Sequence, residues 1–295
     1  MLKRRILFLV IFLFFVINLS YGLDWQELHE KADNMNLPDA LASVRARHDS
    51  IEDLYVLGLV YLNLHKDKEA LETFNTVLSL DPKVIEAKWG GAEALRRQRR
   101  INESERILNG VIESVPSFSP AYISLAYIKY MQTDFEKTVW LALRVIKQGR
   151  QSVDLSNYTR AYLLVGGAKG MIASRGGALS KIINGMAVLP NLLKAEKLQP
   201  NSSAVLFGLG SFYFLAPKIA GGDIDKATGY FERAIEIDPL FADAYVRLAQ
   251  IYRVKGDSEK SERYSRQARE IDPENELLQD FEKGKCKFNC VTVKE

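Results

Sequence analysis

The sequence predicts an all-α solenoid built from stacked helix–turn–helix repeats. Three observations carry that expectation. Asp81-Pro82 and Val115-Pro116 stand thirty-four residues apart, and so do Asp238-Pro239 and Asp272-Pro273. Small and large residues recur at fixed offsets ahead of each proline, and such a period is the mark of a stacked array. The chain is also 47% apolar, with its apolar residues at helical spacing and no strictly alternating stretch.

The first full repeat spans residues 51–82. Leu57-Gly58 and Tyr61 fall on its first helix, Ala70 and Phe74 on its second, and Pro82 ends it. Gly58 and Ala70 are small where two helices cross closely, and Tyr61 and Phe74 fill the space beside the crossing. Proline stops a helix because it lacks an amide donor and clashes with the preceding turn. The segment resembles the tetratricopeptide repeat family, with Leu54 where that pattern has tryptophan. The resemblance implies a right-handed superhelix whose task is binding.

The other repeats follow the same frame. Residues 85–116 carry Ala92, Leu95, Ser104 and Leu108; residues 119–150 carry Tyr122, Ala126, Thr138 and Ala142, with Gln148-Gly149 in place of the closing proline. Between 150 and 239 the phase breaks twice. Tyr162, Val165 and Gly166 open a hairpin whose second helix closes late, at Pro200. Leu209, Gly210 and Tyr213 open the next, continued by Ala227, Phe231 and Pro239. Residues 242–273 are nearly regular again, with Ala249, Tyr252, Ser261 and Pro273. The expected division is 1–22, an export or anchor segment; 23–50, a helical pair; 51–150, three repeats; 151–241, two hairpins with insertions; 242–273, a repeat; and 274–295, a capping helix and tail. Pro38 suits the first turn of a helix, where no amide donor is needed.

Met1–Arg5 is basic, residues 6–17 are apolar, and Ser20-Tyr21-Gly22 offers small residues for cleavage, the form of a secretory signal. Two readings stand: a signal cleaved near Gly22, or a retained anchor, short against the ~20 residues of a membrane span. No cysteine lies near the cleavage point, which excludes a bacterial lipoprotein anchor. Either reading places the helical body in the periplasm or cell envelope. Beyond residue 22 the chain balances 37 basic against 37 acidic residues. That balance gives no electrostatic case for nucleic acid. Arg96-Arg97-Gln98-Arg99-Arg100 is the one dense basic cluster, read as a solvated helix end or as a contact for an anionic partner or headgroup. Cys286 and Cys290 form a small disulfide loop or remain free thiols. No metal, cofactor or catalytic motif is expected; Gly166-Gly167, Gly176-Gly177 and Gly221-Gly222 lack the G-x-G-x-x-G form and read as a close crossing and two turns.

The resemblance implies that certain first-helix positions line a concave groove. Carried onto this chain they include Tyr55, Leu59, Trp89, Arg96, Arg97, Tyr127, Tyr130, Phe207, Phe214 and Arg253. Aromatic side chains with arginine suit a protein or peptide partner; a small apolar ligand is the alternative occupant. Equally, an extra helix or the insertions fill the groove and these side chains are core. The lysine and asparagine clamp of chaperone-tail receptors is missing, since Tyr55 and Leu59 hold two of its places. Residues 174–189 and 214–225 read as long apolar connections. The run A-P-K-I-A-G-G-D-x-x-K-A-x-x-x-F-E-x-A resembles, over residues 158–239, the helical-repeat component that accompanies TRAP-type transporters. That resemblance implies an envelope protein that handles a small ligand or docks a solute-binding protein.

Overall fold

The computed structural model describes residues 24–285 and 287–288. The 1–22 segment, Cys286 and Cys290 lie outside the described residues. Fifteen α-helices make up the regular structure of those residues, with two single 3-10 turns. They are α1 (Trp25–Asp33), α2 (Leu37–Ala46), α3 (Ile51–Asn63), α4 (Asp67–Leu80), α5 (Ile85–Arg97), α6 (Ile101–Ser114), α7 (Ser119–Met131) and α8 (Phe135–Gln148). There follow α9 (Leu155–Arg175), α10 (Ala178–Leu198), α11 (Ser203–Leu215), α12 (Ile224–Ile237), α13 (Ala242–Val254), α14 (Ser258–Ile271) and α15 (Glu276–Lys283). Eight of the helix starts carry a side-chain cap. Asp24, Asn36, Ser50, Asp134, Asp154, Asp223, Asp257 and Asn275 each accept a first-turn amide that the helix leaves unpaired.

Consecutive helices pair as hairpins, and each hairpin covers the apolar side of the next. Phe74 shows how. Its ring is fully buried, and a Cβ on Gly58 would lie 2.6 Å from it and one on Gly90 2.5 Å. One phenyl group therefore fixes the crossing inside its own repeat and the approach of the following one. Gly210 makes the same approach to Phe231, where an added Cβ would lie 2.8 Å from the ring. Tyr213 stacks on Tyr230, and Tyr252 on Tyr264. Where Ala70 is replaced by a hydroxyl residue, the hydroxyl donates across the hairpin. Ser104 reaches the Ala92 carbonyl at 2.7 Å, Thr138 the Ala126 carbonyl at 3.3 Å and Ser261 the Ala249 carbonyl at 2.9 Å. The turn inside each regular hairpin places one residue at positive φ: His65, Arg99, Thr133 and Gly256. Gly149, with φ of 84°, ends α8 where the proline is missing.

The phase break has a different cause from the one expected. Residues 174–189 are not a loop. The chain lengthens both helices of the fourth hairpin to 21 residues, and only Gly176-Gly177 separates them. The helix runs on through Gly185 and Pro190, with the Asn184 amide donating to the Ser180 hydroxyl and accepting from Lys169. Gly166 is the close crossing within this hairpin, since a Cβ there would lie 2.9 Å from Leu192. The second connection is compact: α11 runs to Leu215, a 3-10 turn covers Lys218–Ala220, and the Asp223 amide donates to the Tyr213 carbonyl at 2.8 Å. A Cβ on Gly222 would stand 1.9 Å from the Ala216 carbonyl oxygen, so this turn requires glycine.

The solenoid also meets itself. Arg99, in the turn between α5 and α6, donates to both carboxylate oxygens of Asp272 at 2.8 Å, 173 residues away. His65 lies 3.4 Å from Asp238. Inter-helix turns of the first two repeats thus touch the second-helix ends of the last two hairpins.

Candidate functional site in the concave face

The first helices α3 and α5 present their inner faces to α1, which occupies this part of the groove. His29 sits between Tyr55 and Trp89, with ring centroids 5.9 and 5.0 Å away, and its Nε2 is 2.8 Å from the Tyr55 hydroxyl. Trp25 lies edge-on to Phe118 at 5.3 Å. Burial holds the His29 imidazole below its ordinary pKa, against the opposing charges of Asp154 and Asp33. Tyr55, Leu59 and Trp89 are consequently buried and cannot anchor a partner in this arrangement. The sequence signal for this was present in the 24–47 helical pair: Trp25 and His29 are four residues apart and share a helix face.

Deeper along the groove the side chains form a charged network. Trp89 Nε1 donates to Ser124 Oγ at 3.0 Å, and Ser124 Oγ donates to Glu93 at 2.8 Å. Arg96 grips the same carboxylate with two bonds, of 2.6 and 3.0 Å, and Arg97 Nε adds a third at 3.2 Å. The arginines hold the Glu93 carboxyl far below the usual range despite its burial. Arg97 also donates to the Leu62 carbonyl at 2.6 Å, which ties α5 to α3. Arg96 and Arg97 are therefore engaged with the protein itself. Arg99 and Arg100 pair with Asp272 and Glu103, so these four arginines are each engaged with a carboxylate.

At the far side of the groove the chain's own tail takes the position. Tyr130 stacks parallel to Phe288 with centroids 6.4 Å apart, and Arg247 donates to the Phe288 carbonyl at 3.0 Å. The Asp280 carboxylate accepts the amides of Lys287 and Phe288, which pins this turn. Phe214 is buried in the cluster around Phe231, and Phe207 packs between Phe231 and Phe241. Arg253 lies over the Phe281 ring at 3.9 Å with its edge in solvent.

Tyr127 remains between α1 and the tail. It sits deep in the concavity, yet 36% of its surface is accessible. The Arg96 guanidinium lies 4.3 Å from its ring centre. Burial and the Asp243 charge push the Tyr127 hydroxyl up to about 12, so it stays a neutral donor and acceptor. Asp243 is held by Asn275 at 2.7 Å, and burial raises its carboxyl above the ordinary range. Tyr127 thus offers a partly accessible aromatic ring backed by the Arg96 guanidinium and near the Asp243 carboxyl. That arrangement can take up an aromatic or peptide-like group; among the described residues no group of histidine, cysteine and carboxylate side chains is placed to hold a metal.

Comparison with known proteins places the repeats. Models of the tetratricopeptide repeat match residues 54–84 and residues 230–263. No curated protein matches the chain in sequence. Among solved structures, the APC/C hetero-tetramer Cut9-Hcn1 is 14% identical, with a TM-score of 0.58 over 90% of this chain and 49% of that one. A tetratricopeptide repeat protein from Parabacteroides merdae is 15% identical, with a TM-score of 0.54 over 89% of this chain and 98% of that one. PilW, a type IV pilus biogenesis factor, is 15% identical, with a TM-score of 0.50 over 78% and 97%. At such identities the likeness concerns the fold. Matched models at both ends of the array, the thirty-four-residue period and the glycine–phenylalanine crossings agree: the chain carries tetratricopeptide repeats over residues 54–84 and 230–263.

Proposed function

We propose that this protein is an exported interaction scaffold of the cell envelope that engages a protein or peptide through the central part of its concave face. The observation that carries the reading is Tyr127: an accessible aromatic ring, backed by Arg96, deep in a concavity whose two flanks the chain fills itself. An aromatic side chain beside arginine is the usual composition of an interface anchor. Filling the flanks with α1 and with Phe288 leaves a short contact site in place of a long groove. Export is supported by the basic–apolar–small order of residues 1–22 and by the likeness of residues 158–239 to the TRAP-associated component.

Photo-crosslinking in the native cell tests this. A benzophenone amino acid in place of Tyr127 should yield a discrete protein adduct. The same group in place of Leu80, an exposed residue on α4, should yield none. No adduct at Tyr127, or the same adducts at both positions, would overturn the reading. Fractionation of the same cells should recover the chain with the envelope; recovery with cytosolic proteins would overturn the export half alone.

A further inference from the structure

Helix α10 buries one side against α9 and α11 and leaves the other uncovered. Val188, Leu192 and Ala195 point inward. Leu179, Ile182, Ile183, Met186, Pro190 and Leu193 point outward, and at 100° per residue they fall within about 100° of the helix circumference. Leu179 is 70% exposed, Ile182 and Ile183 59% each, and Met186 74%. An amphipathic helix that packs with one apolar face needs none on the other. Ile219 repeats the anomaly, being 99% exposed at the tip of the 216–222 turn. Gly208 meets Leu192, positions nearly symmetric about the 199–202 turn, so α11 runs antiparallel to α10. It carries the 216–222 turn toward the Gly176-Gly177 end, where Leu179, Ile182 and Ile183 lie.

Charge is distributed to match. Residues 155–222 hold seven basic side chains and a single acidic one, Glu196, whereas residues 23–154 and 223–295 together hold thirty basic and thirty-six acidic. The neutral balance of the body therefore hides a cationic hairpin on an anionic remainder. Lys194 and Lys197 adjoin the apolar stripe, and Lys181 and Lys218 are exposed near its other end.

We propose that the outer face of α10, with the 216–222 turn, rests on an anionic lipid surface, the aliphatic side chains entering the headgroup–acyl boundary and the lysines meeting the headgroups. Among the described residues no helix is long and apolar enough to cross a membrane, so this face lies on the bilayer. The alternatives fit less well. A second copy joined through the same patch would set Lys194 and Lys197 of one copy among the same lysines of the other. A protein groove selects tryptophan, tyrosine and arginine anchors, and the stripe is aliphatic. The face is separate from the Tyr127 site, so the two proposals stand or fall independently.

The test uses the full chain with a dansyl amino acid in place of Met186, and the same probe in place of Leu143 on α8 as control. Vesicles of phosphatidylcholine with about one quarter phosphatidylglycerol supply the anionic surface. The Met186 probe should shift to the blue with these vesicles and stay unchanged with phosphatidylcholine alone; the Leu143 probe should stay unchanged with both. The readout is local, so attachment through residues 1–22 does not produce it. K194Q and K197Q should each weaken the partitioning roughly five-fold, the effect of about 1 kcal/mol per lysine near an anionic surface. No shift at position 186, an equal shift at position 143, or an equal shift with neutral lipid would overturn the proposal. So would a shift that follows protein concentration without lipid, because it would assign the face to a second copy.

Discussion

A glycine facing a phenyl ring is the smallest unit that holds this array together. A methyl group on Gly58 would approach Phe74 to 2.6 Å, and the ring is also confined by Gly90. The ring has no free space to turn into, so Gly58→Ala should destabilise the protein by about 1–3 kcal/mol, the usual effect of overpacking. Phe74→Ala should cost about 3–5 kcal/mol as a large core deletion. Urea denaturation checks both, and a neutral Gly58→Ala would mean that α3 and α4 cross less tightly than a 2.6 Å approach requires. His29 gives a test by pH. Burial lowers its pKa from 6.5, with Asp154 and Asp33 opposing and Arg160 adding to the fall. Below pH 6.5 the unfolded chain takes up a proton that the folded chain refuses. Stability should therefore drop as pH falls through and below 6.5, with a slope of up to about 1.4 kcal/mol per pH unit from this group. His29→Gln should flatten that slope; an unchanged profile would show that the imidazole is charged in the fold or that α1 has left the groove.

Helix α1 shows how far an element can be read from sequence. A helical pair over 23–50 with Pro38 in a first turn follows from local chemistry, and α1 is the first helix of that pair. Its location does not follow, because a nine-residue helix carries too few positions to declare which face of a remote hairpin it will cover. The same gap explains Trp89. Family position makes it a groove residue, and it is one, but α1 covers it and Ser124 takes its indole proton. Trp89→Ala should accordingly cost about 3–5 kcal/mol of stability, where an open groove would predict loss of binding with no unfolding. The two are separated by thermal melting before any partner is known. Regular hairpins were legible through their thirty-four-residue period. The α9–α10 hairpin was legible as a break in that period but not as longer helices, because an apolar run with glycines has the composition of a connection as well as of a helix. Turn conformation within the regular hairpins offers a further check: Thr133 holds φ of 65°, a cost of about 1–2 kcal/mol for a residue with a side chain. Thr133→Gly should raise stability by up to about 1 kcal/mol, less than the full strain because glycine loses more entropy on folding. A fall instead would show that the threonine side chain stabilises the turn.

At the scale of the molecule, the question is whether a chain of nearest-neighbour contacts behaves as one body. The buried apolar residues fall into separate groups. One runs from α1 to α9, another joins α11, α12 and α13, and others lie between α10 and α11 and around α15. An array of this kind loses stability locally, since each hairpin is held chiefly by its neighbours. Against that, Arg99 and Asp272 bridge the second repeat and the last, and His65 and Asp238 bridge the first repeat and the α11–α12 hairpin. Magnitude decides between the two. Both pairs are partly exposed, and such pairs contribute about 0–1 kcal/mol, whereas removing Phe231 from the α11–α12 crossing should remove about 3–5 kcal/mol. The bridge is too weak to pass that loss to the other end. In Phe231→Ala, amide exchange should speed up in α11–α14 while α3–α6 keep the protection of the parent chain. Uniform acceleration across the array would show one cooperative unit, and the contact between its two ends would then be far stronger than two partly exposed ion pairs can account for.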